Sequence, residues 1–561
     1  MSPDHHQGAR QQPEQDDTFG PLLRLPKELI LHIIDDVDPA SHLDFACTCK
    51  QIASCSSDVL QQHRDAYNTY RTSSDILPST VPTLLRSACG LTSPIAAWHV
   101  RSFEVWSSRA SWAEWKPYDL KKPPSIVNKD QDNDTLAWSF SKNEVKTYLA
   151  LACELGCISQ DQVDEARAEL QHGQDSFIKM LLLALCPRLR DLKFITGGHA
   201  DLDDGVEPTV DSLTWLESAI RHAVQIQSWP PGFLSLRDVA VGVSSGTWMY
   251  DGGSARSGLL LASLLRLPNI ASIYFSDLQA EDDAEADDGN SAIKSLIPPG
   301  SSSVSHLYID RVWSEGWDIW DMLLQAPRKL LSFAARGGAD GLDASFHHVD
   351  GVVTTLGEVH AESLQSLKCY WTGPCAGYRC NLYIPFGSDY EEMFKALECI
   401  AIDLANMGVA FGVGRPRQDL IDQFGTLSTG IQATVILGDP SVYGSGSGIM
   451  RHLDDCLVRI MDPGNNNSPK EIFLEYIEDR PPPRRGTPEP GIPLCLPKVI
   501  AAGVEIHTRI STGEKKHNET DFPVAPDMYD VVSGLYGGLR KDDVHWAVNS
   551  YSGMWENSSL S

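Results

Sequence analysis

The stretch "LRLPKELILHIIDDVDPASHLDFACTCKQIASC", from Leu23 to Cys55, places many apolar residues in short helical patterns. Pro26 suits the first turn of a helix, where its missing N–H costs nothing, and residues 27–37 follow with helical spacing. Pro39 disfavours α geometry in the preceding residue, Asp38. We therefore expect a first helix that ends just before the Asp38–Pro39 pair.

Two further helices are expected behind this break. The second begins at Pro39 and runs to about Lys50, and the third spans roughly residues 57–70. Ser56 or Ser57 is the expected N-cap of the third helix, because a serine hydroxyl accepts a hydrogen bond from a free backbone N–H. The three helices form a unit of about 45 residues, a size at which a domain buries little apolar surface by itself.

The first helix carries more apolar surface than such a unit can cover. Its apolar side chains span an arc of roughly 200° on a helical wheel, whereas an ordinary surface helix has an apolar stripe of roughly 100°. Excess apolar surface on a small helical unit indicates docking onto the rest of the chain or onto another protein. The residues of this arc are Leu29, Ile30, Leu31, Ile33, Ile34 and Val37.

The order of residues in this stretch resembles the F-box motif. It has L-P-x-E-L at residues 25–29, apolar positions one turn apart, an acidic residue followed by proline, and the pair Cys49-Lys50 near the end of the second helix. The resemblance covers about residues 23–67. The stretch departs from the family pattern in "CKQIASC", which lacks the aromatic residue that often follows the Cys-Lys pair.

The resemblance implies a function for these helices. F-box helices dock on the Skp-type adaptor of Skp–cullin–F-box ubiquitin ligases, and the remainder of the chain recruits a target. The alternative interpretation is that the helices only cap the downstream domain. The residues that the resemblance assigns to adaptor binding are Leu25, Pro26, Glu28, Leu29, Ile33, Val37, Leu43, Cys49 and Lys50.

Charge excludes some classes of partner. The chain has 561 residues and a formal net charge of −29, whereas phosphate binding requires clustered Lys and Arg. We therefore expect neither nucleic acid nor anionic lipid as a main partner, although a local basic patch can exist within this average. The 42% of hydrophobic residues allow a sizeable core.

The sequence lacks the patterns of membrane and secreted proteins, and this predicts where in the cell the protein is found. No run approaches the ~20 apolar residues of a membrane span, and the polar start of the sequence lacks the apolar segment of a secretory signal. The thirteen cysteines have no regular spacing, which fits reduced thiols. We expect an intracellular protein, cytoplasmic or nuclear, without a membrane partner.

Beyond residue 90 the sequence repeats a strand pattern, apolar-x-x-apolar-x-apolar, often preceded by a Leu-rich helix and a proline. From residue 236 onward the copies begin about 34 residues apart, more than the ~20–29 residues of a standard leucine-rich repeat. The stretch near Leu330 keeps the helix and the proline, but its strand pattern is blurred. The copies are Val100/Phe103/Val105, Leu189/Leu192/Phe194, Leu236/Val239/Val241, Ile270/Ile273/Phe275, Val304/Leu307/Ile309, Leu364/Leu367/Cys369 and Leu397/Ile400/Ile402.

Such a repeat predicts an α/β fold with parallel strands, because each unit has one apolar strand face and one apolar helix face that only stacking buries. It resembles the irregular leucine-rich-repeat-like solenoid domains that follow the F-box in many fungal proteins. An ordinary α/β domain with similar units is the alternative. The expected layout is a disordered tail (1–20), the F-box (21–68), a linker helix (69–90), the repeat domain (91–548) with inserts at 107–135, 280–291 and 479–491, and a tail (549–561).

Catalytic and metal-binding patterns are weak. Residues 242–246, "GVSSG", match the G-x-S-x-G pattern of a hydrolase nucleophile at Ser244, but a loop-like sequence follows instead of a helix. Cys369, Cys375 and Cys380 cluster without the C-x-x-C pairs of structural zinc sites. We expect a non-enzyme with no metal and no cofactor.

The leading hypothesis is a non-catalytic subunit that recruits a protein target to a ubiquitin ligase through the Skp-type adaptor and, through it, a cullin. Ubiquitin transfer then belongs to other subunits, and the contribution of this chain is proximity. One alternative is an F-box-like protein that binds a partner outside any ligase. A second alternative is a serine hydrolase that uses Ser244.

Overall fold

The structure is a computed structural model. Its described residues are 25–118, 139–196, 210–244, 256–279, 293–312, 317–337, 349–370 and 394–403, followed by the strand segments 432–437, 471–478, 505–512, 544–548 and 555–557. The predicted tail 1–20, the inserts 280–291 and 479–491, most of the insert 107–135 and most of the tail 549–561 lie outside them.

The helices fall into an N-terminal group of four and a second group that alternates with strands. Neighbouring helices of the second group pack side by side, α5 on α9, α9 on α10 and α10 on α12. The helices are α1 (Lys27–Asp36), α2 (His42–Ala46), α3 (Lys50–Cys55), α4 (Ser57–Tyr70), α5 (Thr80–Ala88), α6 (Ile95–His99), α7 (Lys142–Glu154), α8 (Val163–His172), α9 (Ser176–Leu185), α10 (Val210–Ile226), α11 (Pro231–Ser235), α12 (Gly258–Leu265), α13 (Trp317–Gln325) and α14 (Val349–His360).

The described strands form one sheet of 14 strands and a separate pair, β5 with β7. Within the large sheet every strand lies beside the one that follows it in the chain. The strands are β1 (Thr72–Ser74), β2 (Ser102–Val105), β3 (Asp191–Thr196), β4 (Asp238–Ser244), β5 (Arg256–Ser257), β6 (Ser272–Ser276), β7 (Leu278–Gln279), β8 (His306–Val312), β9 (Ser332–Gly337), β10 (Ser366–Tyr370), β11 (Cys399–Asp403), β12 (Gln432–Leu437), β13 (Glu471–Glu478), β14 (Glu505–Thr512), β15 (Val544–Val548) and β16 (Trp555–Asn557).

The strands from β1 to β14 pair in parallel, which confirms the predicted α/β fold with a parallel sheet. The last two strands differ from the prediction, because β15 pairs antiparallel with β14 and β16 pairs antiparallel with β15. Only residues 549–554 separate β15 from β16, too few for the crossover of about a dozen residues that a parallel pair needs.

The repeated apolar positions are in register across the sheet. The central position of each copy pairs with the central position of the next, as in Leu192 with Val239 and Val239 with Ile273. These side chains and their partners two residues later are buried in one continuous core with the helices. Since side chains alternate across a strand, the shared register places the apolar faces of these strands in that core.

The strand near Leu330 is as regular as its neighbours, although the sequence suggests a blurred pattern. Leu330, Phe333 and Ala335 occupy the three apolar positions and are fully buried. Phe333 pairs with Leu307 on one side and with Leu367 on the other. The pattern looked blurred in the sequence because Ala335 is a small residue in the last apolar position.

Residues 69–90 differ from the predicted linker helix. They contain strand β1, which begins the sheet, and helix α5, whose Leu84 and Leu85 are fully buried in the main core. This segment is therefore the first unit of the sheet domain. The sequence predicted a linker here because β1 has only three residues, Thr72–Ser74, and no apolar strand pattern marks it as a strand.

The first residues of the predicted insert 107–135 are buried and held by ion pairs and hydrogen bonds. The guanidinium of Arg109 lies 3.1 Å from an Asp175 carboxylate oxygen, and both side chains are 1% exposed. Lys179 Nζ lies 2.8 Å from Asp75 and 2.9 Å from Asp175, and also donates to the Ser107 carbonyl. Two acids and two cations thus neutralise each other where strand β1, the chain after β2 and helix α9 meet.

Candidate adaptor-docking surface

The N-terminal helices have a small core of their own. Ile30 and Ile34 of α1, one turn apart, pack with Ile52 and Cys55 of α3. This cluster is separate from the main core of the sheet domain. Helix α1 therefore uses one side of its wide apolar arc to hold its own unit together.

The other sides of this arc face solvent. Leu29 is 48% exposed and Leu31 38% exposed, and Leu43 on α2 is 61% exposed. These side chains are therefore available for a partner. Full burial of each leucine in an interface would contribute roughly 1.5–3 kcal/mol. Neither Leu29 nor Ile33 lies deep in the sheet domain, as the capping interpretation would require.

The second predicted helix, from Pro39 to about Lys50, is shorter than expected, and a helix that was not predicted follows it. Helix α2 ends at Ala46, and α3 begins at Lys50. Cys49 between them is extended, and its Sγ accepts a hydrogen bond from the Ile52 N–H at 3.5 Å, as an N-cap does. The prediction lacked α3 because cysteine, which precedes this helix, is not among the usual N-cap residues.

The boundaries of the first and last helices follow the prediction closely. Helix α1 spans Lys27–Asp36, after Pro26 and before an extended Val37, and α4 spans Ser57–Tyr70. Ser56 precedes α4 in helical geometry and makes no side-chain capping hydrogen bond. The expected serine cap is absent because α3 runs almost directly into α4.

The predicted docking residues divide into three environments. Leu25 and Cys49 are half-buried and pack against the small core. Ile33 and Val37 are half-buried, and Pro26, Glu28, Leu29, Leu43 and Lys50 are exposed. The predicted docking residues do not include Leu31, which is exposed. The sequence shows how wide the apolar arc is, but it does not show which part of the arc faces the core.

A chain of histidines joins the N-terminal helices to the sheet domain. His42 Nδ1 of α2 lies 2.8 Å from His63 Nε2 of α4, and His63 Nδ1 lies 2.7 Å from His99 Nε2 of α6. His42 Nε2 also lies 3.0 Å from the Ile34 carbonyl. Burial, followed by the charges of His99 and His42, lowers the pKa of His63 to about 4.

Ser244 is the last residue of β4, and residues 245–250 behind it lie outside the described residues. Gly242 of the same motif has a left-handed φ of +82°, and an added Cβ would lie 2.6 Å from the Arg256 guanidinium. The register with β3 also shifts at this point, which is typical of a β-bulge. The first glycine of the motif therefore has a structural explanation.

Other expected absences concern only part of the chain. In the described segments no group of three or more His, Cys, Asp or Glu could hold a metal ion. Within the same segments no helix is long and apolar enough to cross a membrane. Cys375 and Cys380 of the cysteine cluster fall outside the described residues.

Comparison with known proteins identifies the N-terminal helices. A search among curated proteins finds no match to the chain. Residues 22–61 match the family of the F-box domain. The match spans α1 to α3 and the first residues of α4, which are the helices that carry the small core and the exposed leucines. Residues 22–61 of this chain are therefore an F-box domain.

Proposed function

We propose that this chain is the subunit of a Skp–cullin–F-box ubiquitin ligase that recruits the target. The observation that carries the proposal is the exposed Leu29 on a helix whose adjacent side, at Ile30 and Ile34, already completes the core of an F-box domain. An exposed apolar side on a small domain indicates a protein interface.

The docking surface of this proposal is centred on α1. Leu29 and Ile33 are one turn apart on the same side of the helix, and Pro26 and Glu28 are exposed beside its first turn. Leu43 and Lys50 supply exposed groups from α2 and α3, and Leu25, Val37 and Cys49 support the surface from half-buried positions. This arrangement offers an apolar centre with a polar rim, the usual anatomy of a protein interface.

The second part of the proposal concerns the sheet domain, which would act as an irregular leucine-rich-repeat-like solenoid of the kind found in fungal F-box proteins. Support comes from the strand order, which follows the chain, and from apolar positions that stay in register from β2 to β10. A stack of such units presents an extended surface to a target. In this role the chain is not an enzyme and works inside the cell, in the cytoplasm or the nucleus.

Co-purification tests the proposal. A tagged full-length chain should retain both a Skp-type adaptor and a cullin. Retention of the adaptor without any cullin would favour a binding protein that acts outside a ligase, and loss of both would contradict the proposal. A serine-reactive probe provides the matching test of the hydrolase alternative, because only that alternative predicts labelling of Ser244.

A further inference from the structure

Four arginines occupy equivalent positions immediately before four successive strands. Arg71, Arg101, Arg190 and Arg237 each stand directly before a strand, at the first steps of the sheet. The carbonyl of Arg71 accepts hydrogen bonds from the N–H groups of Arg101 and the next residue, and the same double bond recurs from Arg101 to Arg190 and from Arg190 to Arg237. We call these four residues the arginine row.

The backbone fixes the spacing of the arginine row. Neighbouring strands lie about 4.8 Å apart, so the four Cα atoms extend over about 14 Å. Arg71, Arg190 and Arg237 are exposed and Arg101 is half-buried. The row ends where the next equivalent position holds Ala271, so the basic residues are confined to one end of the sheet.

A fifth arginine, Arg188, extends this surface. Its guanidinium lies 4.9 Å from the centre of the Trp98 ring, and that of Arg71 lies 5.3 Å from the Tyr67 ring. The charges of Arg188, Arg71 and Arg190 all act on Arg101, so these side chains are close to one another. Arg101 itself donates to the Trp98 and Val100 carbonyls.

No carboxylate of the described residues forms an ion pair with any of these five arginines. Two acids stand beside the row, Asp191 after Arg190 and Asp238 after Arg237. Their carboxyl groups hydrogen bond to each other, and burial raises the pKa of Asp191. The charges of Arg190 and Arg71 also act on Asp191, so these acids offset part of the positive charge of the row.

We propose that the arginine row, together with Arg188, binds an acidic segment of a protein partner. Guanidinium groups form bidentate hydrogen bonds with carboxylates. Within the described residues the exposed arginines of the row make no ion pair, so they can bind carboxylates of a partner. The negative charge of the remaining chain repels a long polyanion such as a nucleic acid, whereas a short acidic segment contacts only the basic surface.

This inference rests on the proposed role of the sheet domain in holding a target, and it names the chemistry of that target. It fails independently of the ligase proposal, because peptide binding is measured on the purified full chain without adaptor or cullin. Adaptor binding by the same preparation is recorded as a second measurement.

The experiment measures binding of a fluorescent peptide of alternating Glu and Ser residues at low ionic strength. The test variant is Arg190→Glu with Arg237→Glu, since both side chains are exposed and make no side-chain hydrogen bond with described residues. The matched control is Arg167→Glu with Arg221→Glu, which reverses an exposed charge on α8 and a half-buried charge on α10, neither of them in the row. Both variants change the net charge equally.

We expect the wild-type chain and the control to bind the peptide, with an affinity that falls as salt rises. The test variant should bind at least about tenfold more weakly. Equal binding by the test variant and the control would overturn the proposal, as would no binding by the wild-type chain. A phosphoserine peptide or a single-stranded oligonucleotide that binds where the glutamate peptide does not would also overturn it, because the ligand would then be a phosphate.

Discussion

His63 Nδ1 lies 2.7 Å from His99 Nε2, a contact that joins helix α4 to helix α6 of the sheet domain. The other nitrogen of His63 contacts His42 Nδ1 at 2.8 Å. Because the Ile34 carbonyl can only accept, His42 Nε2 carries a proton and its Nδ1 accepts from His63 Nε2–H. His63 Nδ1 therefore accepts from His99 Nε2–H. His99 thus donates to His63, His63 donates to His42, and His42 donates to the Ile34 carbonyl.

The histidine chain predicts that acid weakens the packing of the F-box against the sheet domain. A second proton on His63 would face the N–H of His99, and the Nδ1 of His99 is buried without a hydrogen-bond partner. The unfolded chain binds this proton near the ordinary pKa of 6.5, whereas folded His63 binds it only near 4. Stability is therefore lost as pH falls from 6.5 toward 4.

The measurement is urea unfolding of the wild-type chain and of His63→Gln across this pH range. The wild-type chain should lose more stability on acidification than the variant, which does not titrate at this position. The comparison with the variant is needed because burial raises the pKa of Glu104 to about 7, and that shift changes stability in the opposite direction. Parallel pH profiles of the two proteins would show that His63 has no such effect.

Charge substitutions on α1 test the docking surface. Leu29→Asp together with Ile33→Asp places two charges on the side of α1 that we propose as the adaptor interface, and we expect adaptor binding to weaken about 30-fold or more, the effect of losing about 2 kcal/mol. The measurement is the dissociation constant for the adaptor. Since neither side chain belongs to the buried part of the small core, thermal unfolding should change little.

Leu91→Asp is the control for this prediction. Leu91 is 45% exposed, comparable to Leu29 at 48%, but lies after α5 in the sheet domain. It should leave adaptor binding unchanged. If the Leu29/Ile33 variant still binds the adaptor with wild-type affinity, the surface on α1 is not the interface.

Removal of Lys179 tests the buried ion cluster. Lys179→Met leaves Asp75 and Asp175 without the ammonium that contacts both, and we expect a loss of about 3–5 kcal/mol of unfolding free energy. Arg167→Met removes an exposed ion pair with Asp164 and should cost below about 1 kcal/mol. Urea denaturation distinguishes the two. A similar small loss in both variants would mean that the cluster contributes little.

Local sequence rules determined what could be predicted. The position of Pro26 and the Asp38–Pro39 break set the limits of α1, and the spacing of apolar residues gave the register of strands such as Leu192 with Val239. The arginine row also had a signal in the sequence, since Arg101, Arg190 and Arg237 each follow the first apolar residue of a repeat, but the predicted repeat was defined by its apolar positions alone.

Contacts between distant residues had no such signal. His63 and His99 are 36 residues apart, and Arg109 and Asp175 are 66 apart. Nothing in either local sequence marks its partner, because these pairs form only after the helices have packed on the sheet. The same holds for the side of α1 that faces inward, which depends on where α3 lies.

Gly232 provides a last test, of the packing between α11 and α9. A Cβ added at this position would lie 1.8 Å from the Leu183 carbonyl oxygen and 2.9 Å from the Ala184 backbone. Because backbone cannot move aside as a flexible side chain can, Gly232→Ala should cost about 1–3 kcal/mol of unfolding free energy.

Gly258→Ala is the matched control, since its nearest contact would be an ordinary 3.6 Å to Ile293. An alanine there should be neutral or stabilise by about 0.4–1 kcal/mol. Urea denaturation of both variants decides the matter, and equal stabilities would mean that α11 does not approach α9 this closely.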